Sequence, residues 1–403
     1  MVHFINQNLE IGAVFEENKR NLNFERMTIN PSNRTFWTTG NGKDFLKWAN
    51  ISEQDIPQNF NSQMFYHYDA EIDELVKKWL QNGDFKKIMQ SLHGSLSHIE
   101  LPEDYISLKN RLSNVPDWVD FDLLREAGEL SQRSGLTGLL VLRNFALLGG
   151  YYFANLTKPL VATGSLEKGA VHRLYNTLSF WVDVSRASAN AQELRVNACL
   201  RTRLVHSASR LMIEQKYAHW DQEKYGIPIN HADMIATNIA FTVYYLYGLQ
   251  KLNFDFTEKE EKGIFHLWKY VTWMLGVPEE AIPQNKTEAL HFFYFWTQYQ
   301  FSPDEDSKKL TDSLLHENTS INLLKLDVVK RNMGYIHKSI ANYLLDDHLK
   351  SSLKIPTVPL EKIIPNALRL KNEITLNREK QIETGNAEQQ SVLEDYKNNI
   401  STH

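Results

Sequence analysis

The sequence predicts an all-α fold, and three observations support this class. Apolar residues recur at helical spacing along most of the chain, whereas runs that alternate between apolar and polar residues, which are typical of strands, are scarce. Residues that interrupt helices fall between these segments, as at Asn82-Gly83, Gly149-Gly150 and Gly226. No repeat of about 20–50 residues is visible, so we expect one helical core and not a helical array.

The helices follow one another in chain order, and turn residues or helix breakers separate them. Residues 1–60 are polar and irregular, so we expect no regular structure there. The pair Thr257 and Glu260 has the spacing of a capping box and marks the start of one helix. Residues 355–359 predict a linker, and the charged tail 368–403 predicts a loose helix or disorder. Helices are predicted over 72–81, 84–92, 103–111, 121–128, 136–148, 170–187, 189–217, 230–248, 257–276, 286–301, 307–317 and 322–347.

Composition restricts the class of protein. Hydrophobic residues make up 42% of the 403 residues and aromatic residues 11%, which is enough for a large core. The formal net charge of −5 gives no general attraction to nucleic acid, so no such partner is expected. The N-terminus has neither a basic segment nor an apolar run, so we expect a cytoplasmic protein. Arg143 and Asn144 interrupt the most apolar stretch, 136–152, which predicts a buried helix and no transmembrane segment.

A single cysteine and the lack of common catalytic signatures narrow the chemistry. Cys199 alone excludes an internal disulfide and cysteine-rich zinc or iron–sulfur sites. The motifs of zinc metalloproteases, P-loop nucleotide-binding proteins and serine hydrolases are not found in the sequence. Glu288 and His291 form one Glu-x-x-His pair, whereas di-iron proteins carry two, so a di-iron site remains only as an alternative.

The most informative segment is 195–212, inside the helix predicted over 189–217. His206 lies within it, with Arg203 three residues before and Arg210 four residues after. Residues three and four apart share one helix face, so two guanidinium groups would flank one imidazole. Haem needs this layout, because its iron takes a neutral imidazole and its propionates take cations. The ordinary alternatives are a hydrogen-bonded core histidine and two arginines paired with carboxylates.

These residues resemble the haem-dependent rubber oxygenases (latex clearing proteins) and the related MpaB-type oxygenases. The family's Arg-x-Arg-x-x-His-x-x-x-Arg run is matched here by Arg201, Arg203, His206 and Arg210. In the family the histidine of this run is the proximal haem ligand. The resemblance therefore implies that His206 binds the iron and that Arg203 and Arg210 contact the cofactor.

A second motif lies upstream, where the family has Arg-x-x-Lys-Thr over the distal face of the haem. Arg173 and Thr177 match it, and Asn176 replaces the lysine. The resemblance implies that these three side chains line the distal pocket. A guanidinium and a hydroxyl there would stabilise negative charge on bound dioxygen or peroxide. Asn176 can donate a hydrogen bond but supplies no full positive charge.

Further family-like segments extend the resemblance over about residues 115–283, and their order and spacing strengthen it. These segments are 115–120, 225–230 with Asp233, 268–270 and 275–278. The family implies a globin-like helical core with additional N- and C-terminal helices. The expected organisation is an N-terminal helical extension over 1–114, a haem-binding core over 115–350 and a C-terminal linker and charged tail over 351–403.

The resemblance implies a haem-dependent oxygenase or oxidase that acts on a small apolar organic substrate. Dioxygen or peroxide would bind opposite His206, and the haem would be of the b type, because one cysteine cannot provide the usual covalent attachment. Two alternatives remain. The protein could be a non-catalytic haem-based sensor or carrier, or a helical interaction protein without a cofactor.

Overall fold

The computed structural model describes residues 33–400, apart from 58–59, 93–99, 165–169, 217–219, 318–326 and 375–376. The described residues form 19 helices, and no strand occurs among them, which confirms the all-α class. In chain order the helices are α1 (Arg34–Thr38), α2 (Asn41–Ala49), α3 (Ala70–Asn82), α4 (Asp84–Leu92), α5 (Glu103–Ser113), α6 (Phe121–Arg133), α7 (Gly135–Gly150), α8 (Ala154–Ala162), α9 (Ala170–Val184), α10 (Ala191–Lys216), α11 (Gln222–Tyr225), α12 (231–251), α13 (Glu258–Met274), α14 (Lys286–Gln298), α15 (Glu305–Leu315), α16 (Asp327–Leu344), α17 (Asp347–Ser352), α18 (Ile363–Glu373) and α19 (Arg378–Ile400).

Helix α10 runs through the centre of the fold and carries the segment singled out in the sequence. Its 26 residues contain no glycine or proline, and at 1.5 Å per residue they span about 39 Å. It packs against α9, α3, α13 and α5. Arg195 ties its first turns to the end of α9, since its Nε donates to the Val184 carbonyl at 2.8 Å. The long predicted helix is confirmed, and it gives the candidate residues a rigid support.

Helices α7 and α12 each contain a π-helical segment. The segments are Leu142–Leu147 and Ala240–Tyr244, and they pack against each other, with the rings of Phe145 and Tyr244 centred 4.8 Å apart. Among the described residues no single helix is long and apolar enough to span a membrane. Helices α7 and α8 reach that length and apolarity only together, and they meet at an angle of 97°.

The N-terminal part of the described chain is more ordered than the sequence predicts. The expectation of irregular structure over 1–60 is wrong for α1 and α2, and residues 1–32 lie outside the described range. Phe36 and Phe45 are fully buried, and the Trp37 indole donates to the Thr297 hydroxyl at 2.7 Å. These helices are short and polar on one face, so a few aromatic side chains that pack on α14 determine their position.

Helix α8 has no counterpart in the prediction. Proline in a helix interior removes a backbone donor, so Pro159 argues against a helix there. The structure nevertheless places Pro159 inside this nine-residue helix. The Thr163 hydroxyl donates to the Pro159 carbonyl at 2.8 Å and helps to close the last turn.

The tail, predicted as a loose helix or disorder, is helical over Arg378–Ile400 but is neither loose nor disordered there. Helix α19 packs along α6, α7 and α9. Gly385 lies so close to the Gln132 carbonyl that a Cβ would clash with it, and the Gln389 amide donates to the Ser131 carbonyl at 2.7 Å. Arg378 binds a carboxylate of α6, with Nε 2.7 Å from Oε2 of Glu129. Contacts with distant residues, which a charged composition does not reveal, hold this helix in place.

Candidate functional site

His206 lies in the middle of α10 and is half-buried, while its neighbours Ser207 and Ala208 are fully buried. Its Nδ1 atom is buried and has no hydrogen-bond partner among the described residues. Burial and, as a smaller cause, the charge of Arg210 lower the pKa of His206 from 6.5 to about 4, while Asp69 acts in the opposite direction. The imidazole is therefore neutral at pH 7 and keeps a lone pair that can bind a metal.

Arg203, one turn before His206, forms an ion pair with Asp69 at the start of α3. Its Nε and Nη2 atoms donate to the two carboxylate oxygens at 2.5 and 3.0 Å. Such a two-pronged pair fixes direction as well as distance, because the guanidinium fork matches the carboxylate. Asp69 also accepts from the Ile72 amide and so caps α3. One carboxylate thus joins the start of α3 to the turn that precedes His206.

Arg210, one turn after His206, forms a second and deeper ion pair with Asp73. Its Nε lies 3.0 Å from Oδ2 of Asp73, and the two residues are each about 1% exposed. The Ser207 hydroxyl donates to the same carboxylate at 2.7 Å, and Arg210 Nη1 donates to the Ile229 carbonyl at 2.9 Å. Arg203 and Arg210 thus pair with carboxylates, as the alternative to haem binding predicted. Their contact with haem propionates stays a prediction that these pairs do not support.

The family-like segment 275–278 supports the first ion pair. Gly276 has a φ of 97°, a left-handed conformation that favours glycine. A Cβ added to it would lie 2.3 Å from Oδ2 of Asp69 and 3.1 Å from Nε of Arg203. The backbone at this glycine therefore covers the pair, and a side chain there would displace the carboxylate.

The family-like segment 225–233 contacts the second ion pair, because Arg210 Nη1 donates to the Pro228 and Ile229 carbonyls at 3.3 and 2.9 Å. Asn230 caps α12, where its side chain accepts from the Asp233 amide at 2.9 Å, and Asp233 accepts from the Trp296 indole at 3.0 Å. His231 follows the cap, is 6% exposed, and has an Nε2 atom without a partner among the described residues. Burial also lowers its pKa to about 4, with Asp69 and Arg210 again among the nearby charges. A second neutral histidine thus shares the electrostatic surroundings of His206.

The side chains of the upstream motif lie on α9, which packs against α10. Arg173 is half-buried, and its guanidinium lies 5.3 Å from the centre of the Tyr151 ring. Its Nε and Nη1 atoms are buried without a hydrogen-bond partner among the described residues. Asn176 and Thr177 are exposed. The structure thus places the motif on the helix beside His206, and the roles of the three residues stay predictions.

Sequence reasoning missed a cluster of buried polar groups next to Arg173. Burial raises the pKa of the Tyr151 phenol, and the charges of Arg173 and Arg143 oppose this shift. Arg143 pairs with Glu317 at 3.1 Å, and both side chains are at least nine-tenths buried. Burial lowers the pKa of His337 well below its ordinary value, with Arg143 adding to the shift. The only signal in the sequence was Arg143 itself, which interrupts an apolar run.

Three observations decide which metal sites these side chains fit. The free ring nitrogen and neutral state of His206 fit an axial haem ligand, and the unpaired N–H groups of Arg173 fit an anionic partner. Cys199 is fully buried, and burial raises the pKa of its thiol, so it is no thiolate ligand. In the part of the chain that the structure describes, no group of three or more histidine, cysteine and acidic side chains could hold a metal ion. Glu288 belongs to the Glu-x-x-His pair of the di-iron alternative. Its carboxylate accepts a hydrogen bond from the Asn285 amide at the start of α14, at 2.7 Å.

Comparison with protein families decides the relationship. The family described as ER-bound oxygenase mpaB/B'/Rubber oxygenase, catalytic domain, matches residues 139–369. The chain belongs to this family. The match begins in α7 and ends in α18, so α9 and α10 lie inside it and the acidic residues of α3 lie outside. Membership confirms the resemblance and identifies an oxygenase-type catalytic domain.

One solved structure, titled "Structure of Latex Clearing Protein LCP in the closed state", is similar in fold. The TM-score is 0.64 at 16% sequence identity, over 82% of this chain and 91% of that one. At this identity the likeness shows the fold alone. No curated protein matches the chain.

Proposed function

We propose that the protein is a haem b-dependent oxygenase or oxidase that acts on a small apolar organic substrate. The observation that carries the proposal is the imidazole of His206, which is neutral and has an unpartnered ring nitrogen between two ion pairs. Family membership supports oxygenase chemistry. Bound haem would supply the redox chemistry with dioxygen or peroxide, and the protein would supply orientation and exclusion of water.

The residues of the site have separate tasks in this proposal. His206 provides the lone pair for the iron, and its position on α10 is fixed from both sides. Arg173 directs two N–H donors that no described side chain uses, and they would stabilise negative charge on an oxygen ligand. Asn176 and Thr177 would contribute neutral hydrogen bonds. Asn176 replaces the lysine of the family and has no ammonium group. The proposal therefore includes no proton donation from position 176.

The proposal also covers location and partners. We propose a cytoplasmic location, as the character of the N-terminal residues suggests. We propose no nucleic-acid partner, since a net charge of −5 gives no general attraction to nucleic acid. The family description names ER-bound members, which makes attachment to that membrane the second candidate location.

The deciding experiment is an absorption spectrum of the purified protein after titration with haem. We expect a Soret band in the wild type that His206→Ala loses or shifts. His231→Ala is the matched control, because His231 is also buried, neutral and partnerless at one ring nitrogen. A wild type without a Soret band would overturn the haem proposal and favour the cofactor-free interaction protein. A band lost only in His231→Ala would show that the ligand is misassigned.

A second measurement separates an enzyme from a haem sensor or carrier. We expect the haem-loaded protein to consume dioxygen when an apolar substrate such as a prenyl or lipid compound is added, with formation of an oxidised product. Haem binding without consumption across such substrates would favour the sensor or carrier.

A further inference from the structure

Three buried hydrogen-bond donors lie where α16 packs against the π-helical segment of α7. Arg143 belongs to α7, Tyr151 directly follows that helix, and His337 belongs to α16. Arg143 Nε, the Tyr151 hydroxyl and His337 Nδ1 are buried, and none has a hydrogen-bond partner among the described residues. The charge of Arg143 affects the pKa of both Tyr151 and His337, so Arg143 lies close to both.

The chain holds the rest of the Arg143 guanidinium in place. Its Nη2 donates to the Leu314 carbonyl at 2.7 Å and to Glu317 at 3.1 Å, and its Nη1 donates to Asn144 Oδ1 at 2.8 Å. Arg143 also lies in the π-helical segment Leu142–Leu147, and such segments are rare and frequent at functional sites. The Nε donor is therefore fixed in position while its own N–H group stays unused.

Apolar packing around these donors makes their unused hydrogen bonds costly. Leu148 lies one turn before Tyr151, and Ile340 and Ala341 lie one turn after His337; all three are fully buried. A buried polar group without a partner loses its hydrogen bonds to water and gains none in return, which lowers stability. Three such groups in one place are expected where a ligand supplies the acceptor.

The charges that act on these donors leave an excess of one positive charge. Arg143 and Arg173 both act on the Tyr151 phenol, and Glu317 is the carboxylate that pairs with Arg143. His337 is neutral at pH 7, because burial lowers its pKa well below 6.5. One carboxylate would balance this excess, whereas a phosphate group with about two negative charges would exceed it. A carboxylate also has about four lone-pair sites, which are enough for three donors.

We propose that Arg143 Nε, the Tyr151 hydroxyl and His337 Nδ1 bind the carboxylate of an apolar acid, such as a fatty acid, which is the substrate of the neighbouring oxygenase site. The Arg173 guanidinium lies 5.3 Å from the centre of the Tyr151 ring, so the acid group would lie beside the side chain that serves the oxygen ligand. This narrows the substrate class of the proposed function and rests on that function. Carboxylate binding can be measured without haem, so the failures of the two proposals are told apart.

Calorimetric titration of the full chain with sodium decanoate, before and after loading with haem, tests the proposal. The comparison ligands are 1-decanol, which keeps the apolar chain without the charge, and acetate, which keeps the charge without the chain. We expect decanoate to bind at least about tenfold more tightly than either of them in both forms of the protein. The reason is that hydrogen bonds to a charged acceptor are strong and that burial of the chain adds to them.

Tyr151→Phe removes one hydroxyl and keeps the ring. It should weaken decanoate binding by about tenfold and leave decanol binding unchanged. The melting temperature should stay the same or rise, because the hydroxyl has no partner in the free protein. The matched control is Tyr245→Phe, since the Tyr245 hydroxyl is fully buried but donates to Ser134 Oγ at 2.8 Å. This control should lower the melting temperature and leave decanoate binding unchanged.

Four results would overturn the proposal. Decanoate could bind no more tightly than decanol or acetate, or Tyr151→Phe could bind decanoate as the wild type does. A lower melting temperature of Tyr151→Phe would show that the chain itself uses the hydroxyl. Decanoate binding that disappears on haem loading would show that the carboxylates of the cofactor fill the site and that no substrate acid binds there.

Discussion

The two helices that carry the candidate site differ in how their charges are satisfied. On α10, Arg203 and Arg210 each have a carboxylate partner, and both carboxylates come from α3. On α9, Arg173 has no carboxylate partner among the described residues, and two of its N–H groups are buried without an acceptor. Carboxylates of the chain itself therefore neutralise the arginines of α10. On α9, by contrast, Arg173 keeps N–H donors that a ligand could use.

This difference gives the two sides different tasks. A metal ligand needs a rigid support, and two ion pairs one turn to either side of His206 hold the helix that carries it. A side that receives a small anionic ligand needs unused donors, and an unpaired buried guanidinium is costly in its absence. We therefore expect that breaking an ion pair on α10 lowers the free energy of unfolding more than a change at Arg173 does.

The largest expected effect is the loss of the deeper ion pair. Asp73→Asn should lower the free energy of unfolding by about 3–5 kcal/mol, because it leaves Arg210 charged and buried without its counter-ion. Glu71→Gln is the control on the same helix, since Glu71 pairs with Arg111 while both side chains are more than half exposed. That change should cost about 1 kcal/mol or less. Equal losses in urea denaturation would contradict the comparison.

The sequence predicted the α10 side only in part. The helical spacing of Arg203, His206 and Arg210 follows from the chain alone, and the structure confirms the helix that carries them. Their partners Asp69 and Asp73 lie more than 130 residues upstream, so no local pattern connects the pairs. Asp69 also caps α3. This local role explains the residue in the sequence without its long-range contact with Arg203.

The prediction failed elsewhere for the same physical reason. Contacts with distant residues hold helix α19, whose composition is mostly polar, and the short helices α1 and α2, which carry only a few apolar residues. Helix α8 contains a proline that local propensity disfavours, but packing in the folded protein outweighs that preference. Segments with a long apolar period, such as α7, were predicted well because burial alone determines them.

The second prediction concerns pH and the neutral histidines. The folded-state pKa of His231 is about 4, below its ordinary 6.5, so the unfolded chain binds the proton more tightly. The contribution of His231 to the free energy of unfolding is therefore fully present above about pH 6.5. It is lost as the pH falls toward about 4, and the loss amounts to up to about 3 kcal/mol for one such group. Urea denaturation between these pH values should show the loss, and His231→Gln should reduce the slope of the free energy of unfolding against pH. If the variant leaves this slope unchanged, His231 is accessible to protons in the native state.

The third prediction tests how tightly the Asp69–Arg203 pair is enclosed. Gly276→Ala should lower the free energy of unfolding by about 2 kcal/mol, because φ is 97° and the new Cβ would meet the Asp69 carboxylate. Gly334→Ala is the control, since nothing lies within 4 Å of a Cβ there and the residue is inside α16. That change should be neutral or slightly stabilising. A harmless Gly276→Ala would show that the pair can move aside.

The smallest expected effect is on α9 and separates the two sides directly. Arg173→Gln should change the free energy of unfolding by about 1 kcal/mol or less, since it removes a ring contact with Tyr151 and no ion pair. Arg203→Gln should cost more, because it strands Asp69. A loss for Arg173→Gln as large as that for Arg203→Gln would reveal an acidic partner and remove the contrast. A small loss would show that Arg173 has no acidic partner in the wild type. Its guanidinium can then bind an anionic ligand, which is the role that the proposed oxygenase site gives it.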